Sequence, residues 1–255
     1  MCRHLAYLGP PVLLADLVLR QPHSLLHQSY APLDMRSGGT INADGFGIGW
    51  LAGDPGDGGV ARRYRRGVPM WTDASLPGLA ASISSNAILA AVRNATPGMP
   101  ITETACAPFI EGVWMLSLNG VIDGWPASVA ALADGLGPTN LMTLDAPTDS
   151  AFLWALVRQH LRQGHSPATA LTRVVGDVLA LAPRSRLNLL LNDGRNIVAT
   201  TVSHSLWLRH GGGSVTVSSE ALDPGEPSWK QVPDLSLVMA TAAEFSIAPL
   251  DQGSS

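Results

Sequence analysis

The sequence opens with Met1-Cys2-Arg3-His4-Leu5-Ala6-Tyr7-Leu8, in which a cysteine leads directly into an apolar run. Cys2 is small enough for methionine aminopeptidase to remove Met1, which would leave a free α-amino group on the residue that carries the thiol. An α-amino group has an ordinary pKa of about 7.7–8.0, so it can take the thiol proton and return it to a leaving amine. We therefore predict that Cys2 supplies both a nucleophile and its base. Because a cysteine at position two can also lack any function, the prediction depends on the rest of the chain.

Two other short stretches suit the same chemistry. Leu116-Ser117-Leu118-Asn119-Gly120 is an apolar strand followed by an amide side chain and a glycine, which can together hold an oxyanion, although an ordinary turn reads the same way. Ala91-Val92-Arg93-Asn94-Ala95-Thr96 places an arginine after a second apolar strand. Arg93 can hold a carboxylate in a bidentate pair, with the Thr96 hydroxyl adding a bond, although a solvated arginine would also fit.

Composition limits the classes of ligand and the number of domains. The chain has 255 residues, of which 46% are hydrophobic and 14% charged, with a net charge of −4. We expect one domain over residues 1–255 with a flexible tail of a few residues, and no nucleic-acid partner. The sequence shows neither a secretory signal nor an apolar stretch of the roughly 20 residues that a membrane span needs, so we expect a cytoplasmic protein without a membrane partner. Its histidines have no companions at a metal-ligand spacing, and we expect no metal.

The order of elements predicts an α+β fold. Alternating and apolar runs separated by glycine and proline predict strands over residues 2–8, 46–51, 60–65, 88–93, 113–118, 187–191, 196–201, 215–218 and 237–240. Apolar residues at helical spacing predict one helix after Thr148-Asp149-Ser150 and another from Ser166 to the residues before Pro183. Strands, then two helices, then strands indicate antiparallel sheets with segregated helices.

The ordered set of motifs resembles the class II glutamine amidotransferases, a branch of the N-terminal nucleophile hydrolases. The motifs are Met1-Cys2-Arg3-His4, Asn42-Ala43-Asp44-Gly45-Phe46-Gly47-Ile48-Gly49-Trp50, Val92-Arg93-Asn94-Ala95-Thr96, Ser117-Leu118-Asn119-Gly120, Thr148-Asp149-Ser150 and Ser219-Glu220. The resemblance implies a four-layer αββα sandwich without metal or organic cofactor. It also implies roles for these residues: Cys2 as nucleophile and base, Asn119 and Gly120 as the oxyanion hole, Arg93 and Asp149 as the clamp for a glutamyl α-carboxylate and α-ammonium, Asn42 and Gly45 beside the nucleophile, and Ser219-Glu220 in support.

Within this branch the chain particularly resembles the γ-glutamyl amidohydrolases of ergothioneine biosynthesis, through Gln28-Ser29-Tyr30-Ala31-Pro32, Ser185-Arg186-Leu187-Asn188-Leu189-Leu190 and Pro227-Ser228-Trp229. That likeness implies hydrolysis of γ-glutamyl-hercynylcysteine sulfoxide through a γ-glutamyl thioester. Three alternatives stay open: a glutaminase that delivers ammonia to a synthase, a γ-glutamyl peptidase of glutathione-type thiol degradation, and a degenerate fold that only binds ligands. The sequence does not indicate an oligomeric state.

Two expectations concern the detail of the site. The family usually has a histidine before the Asn-Gly pair, where this chain has Leu118. Because neighbours on a strand face opposite ways, we expect Leu118 to pack away from the site while Asn119 faces it, and activity to survive. Residues 34–39 and 221–229 are the candidates for contacting the non-glutamyl half of the substrate.

Overall fold

The computed structural model describes residues 2–35, 41–53, 56 and 58–250 of the chain. Within these residues the strands are, in chain order, β1 (Arg3–Leu13), β2 (Phe46–Ala52), β3 (Val60–Arg66), β4 (Ser84–Val92), β5 (Phe109–Glu111), β6 (Trp114–Val121), β7 (Arg186–Asn192), β8 (Ile197–Thr201), β9 (Trp207–Gly211), β10 (Ser214–Ser218), β11 (Lys230–Gln231), β12 (Ser236–Ala240) and β13 (Phe245–Pro249). The α-helices are α1 (Leu14–Val18), α2 (Leu25–Tyr30), α3 (Leu76–Ser82), α4 (Ala130–Ala133), α5 (Pro138–Met142), α6 (Asp149–Arg162) and α7 (Pro167–Leu181). None of the helices in these ranges is both long and apolar enough to cross a membrane.

The strands form two antiparallel sheets that pack face to face. One sheet has the order β11-β9-β10-β1-β4-β2-β3, and the other has the order β13-β12-β8-β7-β6-β5. An apolar cluster fills the space between the two sheets. A second cluster joins the first sheet to helices α1, α2 and α3, and a third joins the other sheet to α6 and α7. The result is the predicted four-layer αββα sandwich, with buried residues on both faces of each sheet.

The central strands also carry polar links across the space between the sheets. The side-chain Nδ2 of Asn192, in β7, donates to the Tyr7 carbonyl oxygen of β1 at 2.9 Å and to the Ile88 carbonyl oxygen of β4 at 3.2 Å. Asn192 is fully buried, and an unpaired amide there would cost about 1–3 kcal/mol, so these bonds favour one relative placement of the sheets. They hold β1, which follows Cys2, against the second sheet.

Most of the predicted elements are confirmed, and their bounds shift by a few residues. The two predicted helices are α6 and α7, whose first-turn N–H groups donate to the side chains of Thr148 and Ser166. The first half was predicted as strands alone, and that was wrong, because α1, α2 and α3 lie there. The predicted flexible tail falls on residues 251–255, outside the described residues.

Candidate active site

Cys2 directly precedes the strand at the centre of the first sheet. Its thiol donates to the carbonyl oxygen of Asn94, with Sγ 3.9 Å from that oxygen, and the side chain is partly exposed. The next residue, Arg3, turns back and donates from Nη1 to the Cys2 carbonyl oxygen at 3.0 Å. The hydrogen bond from Arg3 therefore fixes the carbonyl group of the residue that carries the thiol.

Glu220 fixes Arg3 from the neighbouring chain segment. Its Oε1 accepts from Arg3 Nε at 2.8 Å, while its Oε2 lies 2.5 Å from His23 Nε2 and accepts from the Leu33 amide at 2.8 Å. Arg3 and Glu220 are each 2% exposed. Burial alone would raise the pKa of Glu220, but the hydrogen bonds from His23 and Leu33 and the charge of Arg3 lower it to about 2. Glu220 is thus a carboxylate at neutral pH, and the support predicted for Ser219-Glu220 acts through Arg3.

A cavity opens beside the Cys2 side chain. Five of the predicted site residues line it, namely Cys2, Arg93, Thr96, Gly120 and Asp149. It holds about 40 Å³, which is room for a few waters and less than a glutamyl group requires. Arg93 Nη1 donates to the Pro100 carbonyl oxygen at 2.7 Å, so a carboxylate ligand would have to replace that bond.

Asp149 faces the cavity from the first residue of α6. Its Oδ2 accepts from the Ile122 amide at 3.1 Å and its Oδ1 accepts from the Ser150 amide at 2.8 Å. Burial raises the pKa of Asp149, while these backbone hydrogen bonds and the charge of Arg93 act in the opposite direction. The carboxylate is held rigidly and keeps lone pairs for a further donor such as an ammonium group.

The Asn119-Gly120 pair lies within strand β6, not in a turn. Asn119 is paired with Asn188 and Gly120 with Leu187 of β7. The Asn119 side chain points between the sheets, where its Nδ2 donates to Ser219 Oγ at 3.3 Å and its buried Oδ1 has no hydrogen-bond partner. Ser219 Oγ also accepts from the His4 amide at 3.0 Å, which places the Asn119 amide beside the start of β1.

Leu118 occupies the opposite face of β6, as alternation predicts, but that face also reaches the cavity. Leu118 belongs to the apolar cluster under α6 and α7 and lines the cavity together with Cys2 and Gly120. The expectation that Leu118 packs away from the site was therefore wrong. The cavity lies around the end of the sheet, so it is bounded by the helix-facing side of β6 as well as by the start of β1.

Two glycines permit close backbone approaches around the cavity. A Cβ on Gly120 would lie 1.9 Å from the Arg186 carbonyl oxygen. Gly45 has a φ of +125°, and a Cβ there would lie 2.3 Å from Cys106 Sγ. Both positions therefore require glycine, the second for its conformation as well.

Asn42 and Gly45 lie behind the cavity wall and do not line it. The Asn42 amide donates to the Ser29 carbonyl oxygen at 2.7 Å, and its buried Oδ1 has no hydrogen-bond partner. The Gly45 carbonyl oxygen accepts from the Arg93 amide at 2.8 Å, and the Asp44 amide donates to the Arg93 carbonyl oxygen at 3.0 Å. This segment positions the backbone of Arg93.

His4 lies on the same face of β1 as Cys2 and is fully buried. Its Nδ1 is 2.8 Å from Ser117 Oγ. Burial, together with the charges of His204 and Arg3, lowers the pKa of His4 to about 3, so the ring is neutral at physiological pH. In the described part of the chain, no group of three or more His, Cys, Asp or Glu side chains could hold a metal ion.

Comparisons with known proteins place this arrangement in a family. The sequence profile described as "Glutamine amidotransferases class-II" matches residues 17–212 of the chain. The chain belongs to this family. Its fold also resembles the solved structure of a class II glutamine aminotransferase domain protein from Silicibacter pomeroyi, with a TM-score of 0.65 at 22% identity over 98% of this chain and 99% of that one.

Curated proteins named gamma-glutamyl-hercynylcysteine sulfoxide hydrolase match this class II glutamine amidotransferase over nearly its full length. The protein from Mycolicibacterium smegmatis is 40% identical over 98% of this chain and 100% of its own length. The protein from Mycobacterium tuberculosis is 37% identical over 99% of this chain and 98% of its own length.

Sequence reasoning missed two features of this class II glutamine amidotransferase. Arg3 was quoted only as part of a motif, and its buried contact with Glu220 spans 217 positions in the chain. Cys106 belongs to none of the motifs and lines the cavity beside Cys2. Burial raises the pKa of the Cys106 thiol to about 11, which keeps it protonated and unreactive at neutral pH. No local pattern in the sequence marks either contact.

Proposed function

We propose that this chain hydrolyses the γ-glutamyl amide bond of γ-glutamyl-hercynylcysteine sulfoxide, releasing glutamate and hercynylcysteine sulfoxide in ergothioneine biosynthesis. The observation that carries the proposal is the single cavity lined by Cys2, Arg93 and Asp149. It brings a thiol, a cation and a carboxylate together, the groups that a γ-glutamyl substrate requires. Support also comes from the nearly full-length relatives of that name.

The nucleophile becomes competent when methionine aminopeptidase removes Met1, which we place in the cytoplasm. The free α-amino group of Cys2 then accepts the thiol proton, directly or through a water. The sulfur attacks the γ-carbonyl carbon, the C–N bond breaks, and the amine leaves with the proton. A γ-glutamyl thioester remains on Cys2, and water hydrolyses it to glutamate and the free thiol.

The tetrahedral intermediates need donors for their oxyanion, and we assign this role to Asn119 and Gly120. Gly120 lines the cavity, and the Asn119 amide lies next to Ser219 at the start of β1. The contact of Asn119 Nδ2 with Ser219 Oγ is long, at 3.3 Å, and therefore weak. An oxyanion is a stronger acceptor and would compete for that donor.

The glutamyl group is recognised by its two charged ends. Arg93 binds the α-carboxylate after giving up the Pro100 carbonyl, and Asp149 accepts from the α-ammonium. The Thr96 hydroxyl, exposed at the cavity, adds a hydrogen bond to the carboxylate. Asn42 and Gly45 contribute indirectly, through the backbone segment that pairs with Arg93.

We also propose that residues 1–255 form one domain. The continuous apolar cluster between the sheets and the Asn192 links to both β1 and β4 support this proposal, because they join segments from both halves of the chain.

The test compares glutamate release from three substrates by purified protein whose intact mass shows loss of Met1. Release from γ-glutamyl-hercynylcysteine sulfoxide, well above that from glutamine and glutathione, is the expected result. Release from glutamine alone would support an ammonia-donating glutaminase, and release mainly from glutathione a thiol-degrading peptidase. If the mature protein releases no glutamate from any of them, the ligand-binding alternative replaces hydrolysis.

A variant pair tests the assignment of the glutamyl clamp. Arg93→Lys keeps the charge but loses the bidentate geometry, so we expect a KM raised about tenfold or more. Arg195→Lys, the same change at an exposed hairpin turn between β7 and β8, is the matched control and should leave KM unchanged. Equal KM values for the two variants would contradict the clamp.

A further inference from the structure

A second cavity lies beside the first sheet and has no part in the chemistry described so far. It holds about 510 Å³, within the range of small-molecule sites. Its described lining includes two tryptophans, three carboxylates and no basic side chain: Trp207, Trp229, Asp34, Glu220 and Glu226 with Gln231 at the wall. Aromatic faces with nearby carboxylates are the chemistry that binds quaternary ammonium groups.

The cavity lies on the side of Cys2 opposite to the glutamyl clamp. Strand β1 has β4 as one neighbour and β10 as the other. Arg93 follows β4, whereas Glu220 follows β10 and contacts Arg3, whose side chain donates to the Cys2 carbonyl. A substrate held by its glutamyl end at Arg93 therefore extends its leaving amine towards the second cavity.

The distance from Cys2 to Trp207 also suits the length of the substrate. Trp207 pairs with Ser218, which pairs with Leu5, so Trp207 is two strands across from β1 and three residues along from Cys2. With strand spacings of about 4.8 Å and a rise of about 3.3 Å per residue, the two Cα atoms are roughly 14 Å apart. About ten covalent bonds, roughly 10–12 Å when extended, separate the scissile carbonyl from the quaternary nitrogen of a hercynyl group. Trp207 packs with Leu5 on the helix-facing side of the sheet, so the leaving amine passes around the end of β1 to reach the cavity.

Trp229 already interacts with a cation. The Arg209 guanidinium lies 5.8 Å from the centroid of its ring, and Trp229 Nε1 is buried without a hydrogen-bond partner. Arg209 also donates to Glu226 at 2.8 Å, and Glu220 is paired with Arg3. Glu226 and Glu220 are therefore each paired with an arginine, so the wall attracts a cation mainly through its indole rings. The hercynyl group is a betaine, with a carboxylate beside its trimethylammonium group. A strongly anionic wall would repel that carboxylate, whereas indole rings with paired carboxylates would not.

We propose that the cavity lined by Trp207 and Trp229 binds the trimethylammonium group of the hercynyl half of the substrate. This inference rests on the proposed function, since it assigns the specificity of the same hydrolysis. It refines the expectation for residues 34–39 and 221–229: Asp34, Glu226 and Trp229 fall in this cavity, while residues 36–39 lie outside the described residues. Trp207 and Gln231 were not among the candidates.

The first test varies the ligand charge. Kinetics of glutamate release are measured with γ-glutamyl-hercynylcysteine sulfoxide and with its neutral isostere, in which a tert-butyl group replaces trimethylammonium. We expect KM to be about 5–30-fold higher for the isostere. Trp207→Leu and Trp229→Leu, which keep apolar volume but lose the aromatic ring, should raise KM for the natural substrate and remove this difference. Equal KM values for the two substrates in the unmodified enzyme would overturn the proposal.

A surface variant covers the case in which the tryptophan variants do not fold. Gln231 is exposed and pairs with Trp207, so Gln231→Lys adds a positive charge to the wall without disturbing packing. We expect a 2–5-fold higher KM for the natural substrate at low salt, decreasing with added salt, and no change for the isostere. Gln163→Lys, at an exposed helix end, is the matched control. Equal effects on both substrates would contradict an ammonium site.

The outcome also separates this inference from the proposed function. Hydrolysis of the natural substrate without discrimination against the isostere refutes the ammonium site alone. If the mature enzyme does not hydrolyse the natural substrate, the proposed function fails, and a tryptophan fluorescence titration with hercynine decides the site. Saturable binding of hercynine but not of histidine would support it, and the absence of saturation would refute it.

Discussion

Replacing Glu220 by glutamine should destabilise the protein strongly, because it removes the negative charge of a buried cluster. Glu220 carries the negative charge of a buried cluster in which Arg3 and Glu220 are each 2% exposed. Its pKa is lowered from 4.5 to about 2, which corresponds to about 3 kcal/mol of preferential stabilisation of the carboxylate. Removing one partner of a buried ion pair independently suggests about 3–5 kcal/mol. We therefore expect Glu220→Gln to lower the free energy of unfolding by about 3 kcal/mol at pH 7.

The pH dependence gives a second measure of the same interaction. Because the pKa of Glu220 in the folded protein is below its unfolded value, the unfolded chain binds the extra proton between those two values. The stabilisation is fully present above about pH 4.5 and is lost as the pH falls towards 2. Glu220→Gln lacks this titration, so its stability should approach that of the parent protein as the pH falls through this window.

Urea unfolding followed by circular dichroism measures both effects at pH 7 and pH 3. Glu226→Gln is the matched control, because Glu226 pairs with Arg209 but is 37% exposed, and we expect it to cost less than about 1 kcal/mol. A Glu220→Gln protein within about 1 kcal/mol of the parent at pH 7 would refute the reasoning. Equal losses of unfolding free energy in Glu220→Gln and Glu226→Gln would refute it as well.

Three further substitutions test the cavity. Cys2→Ala should abolish glutamate release from the natural substrate while changing stability by less than about 0.5 kcal/mol, because the side chain is partly exposed; Cys106→Ala is the control that should retain release. Gly120→Ala should lower the free energy of unfolding by about 1–3 kcal/mol and reduce turnover, because the added Cβ would lie 1.9 Å from the Arg186 carbonyl oxygen. A variant with the stability and the turnover of the parent protein would contradict this. Leu118→His should lower stability by placing a polar ring in an apolar cluster and should not raise turnover greatly, whereas a gain of orders of magnitude would show that this position needs the histidine usual in the family.

The elements that the sequence predicted well are those with strong local signals. Helices α6 and α7 have capping side chains and more than three turns of apolar periodicity. Helices α1, α2 and α3 have five to seven residues each, too few for a periodic pattern or for stability in isolation. They form because their apolar residues pack against the first sheet, which no local window can reveal.

The site residues divide in the same way. Cys2, Arg93, Gly120 and Asp149, which line the cavity, were predicted from short motifs, because each stands at the end of an element or at a place where a side chain cannot fit. Ser219-Glu220 was assigned a supporting role, but its contact with Arg3 was not predicted, because the two partners are distant in the chain. Glu220 reaches Arg3 across 217 positions.

Leu118 shows why alternation alone does not place a residue in or out of a site. Ser117 and Asn119 face the other sheet, where they contact His4 and Ser219, and Leu118 faces the helices, so the alternation was correct. Alternation separates a solvent-exposed face from a buried face only when a sheet is covered on one side. In a four-layer sandwich both faces are buried, and a cavity at the strand ends can be bounded by either. The apolar wall of this cavity and the proposed oxyanion donors therefore come from adjacent positions on one strand.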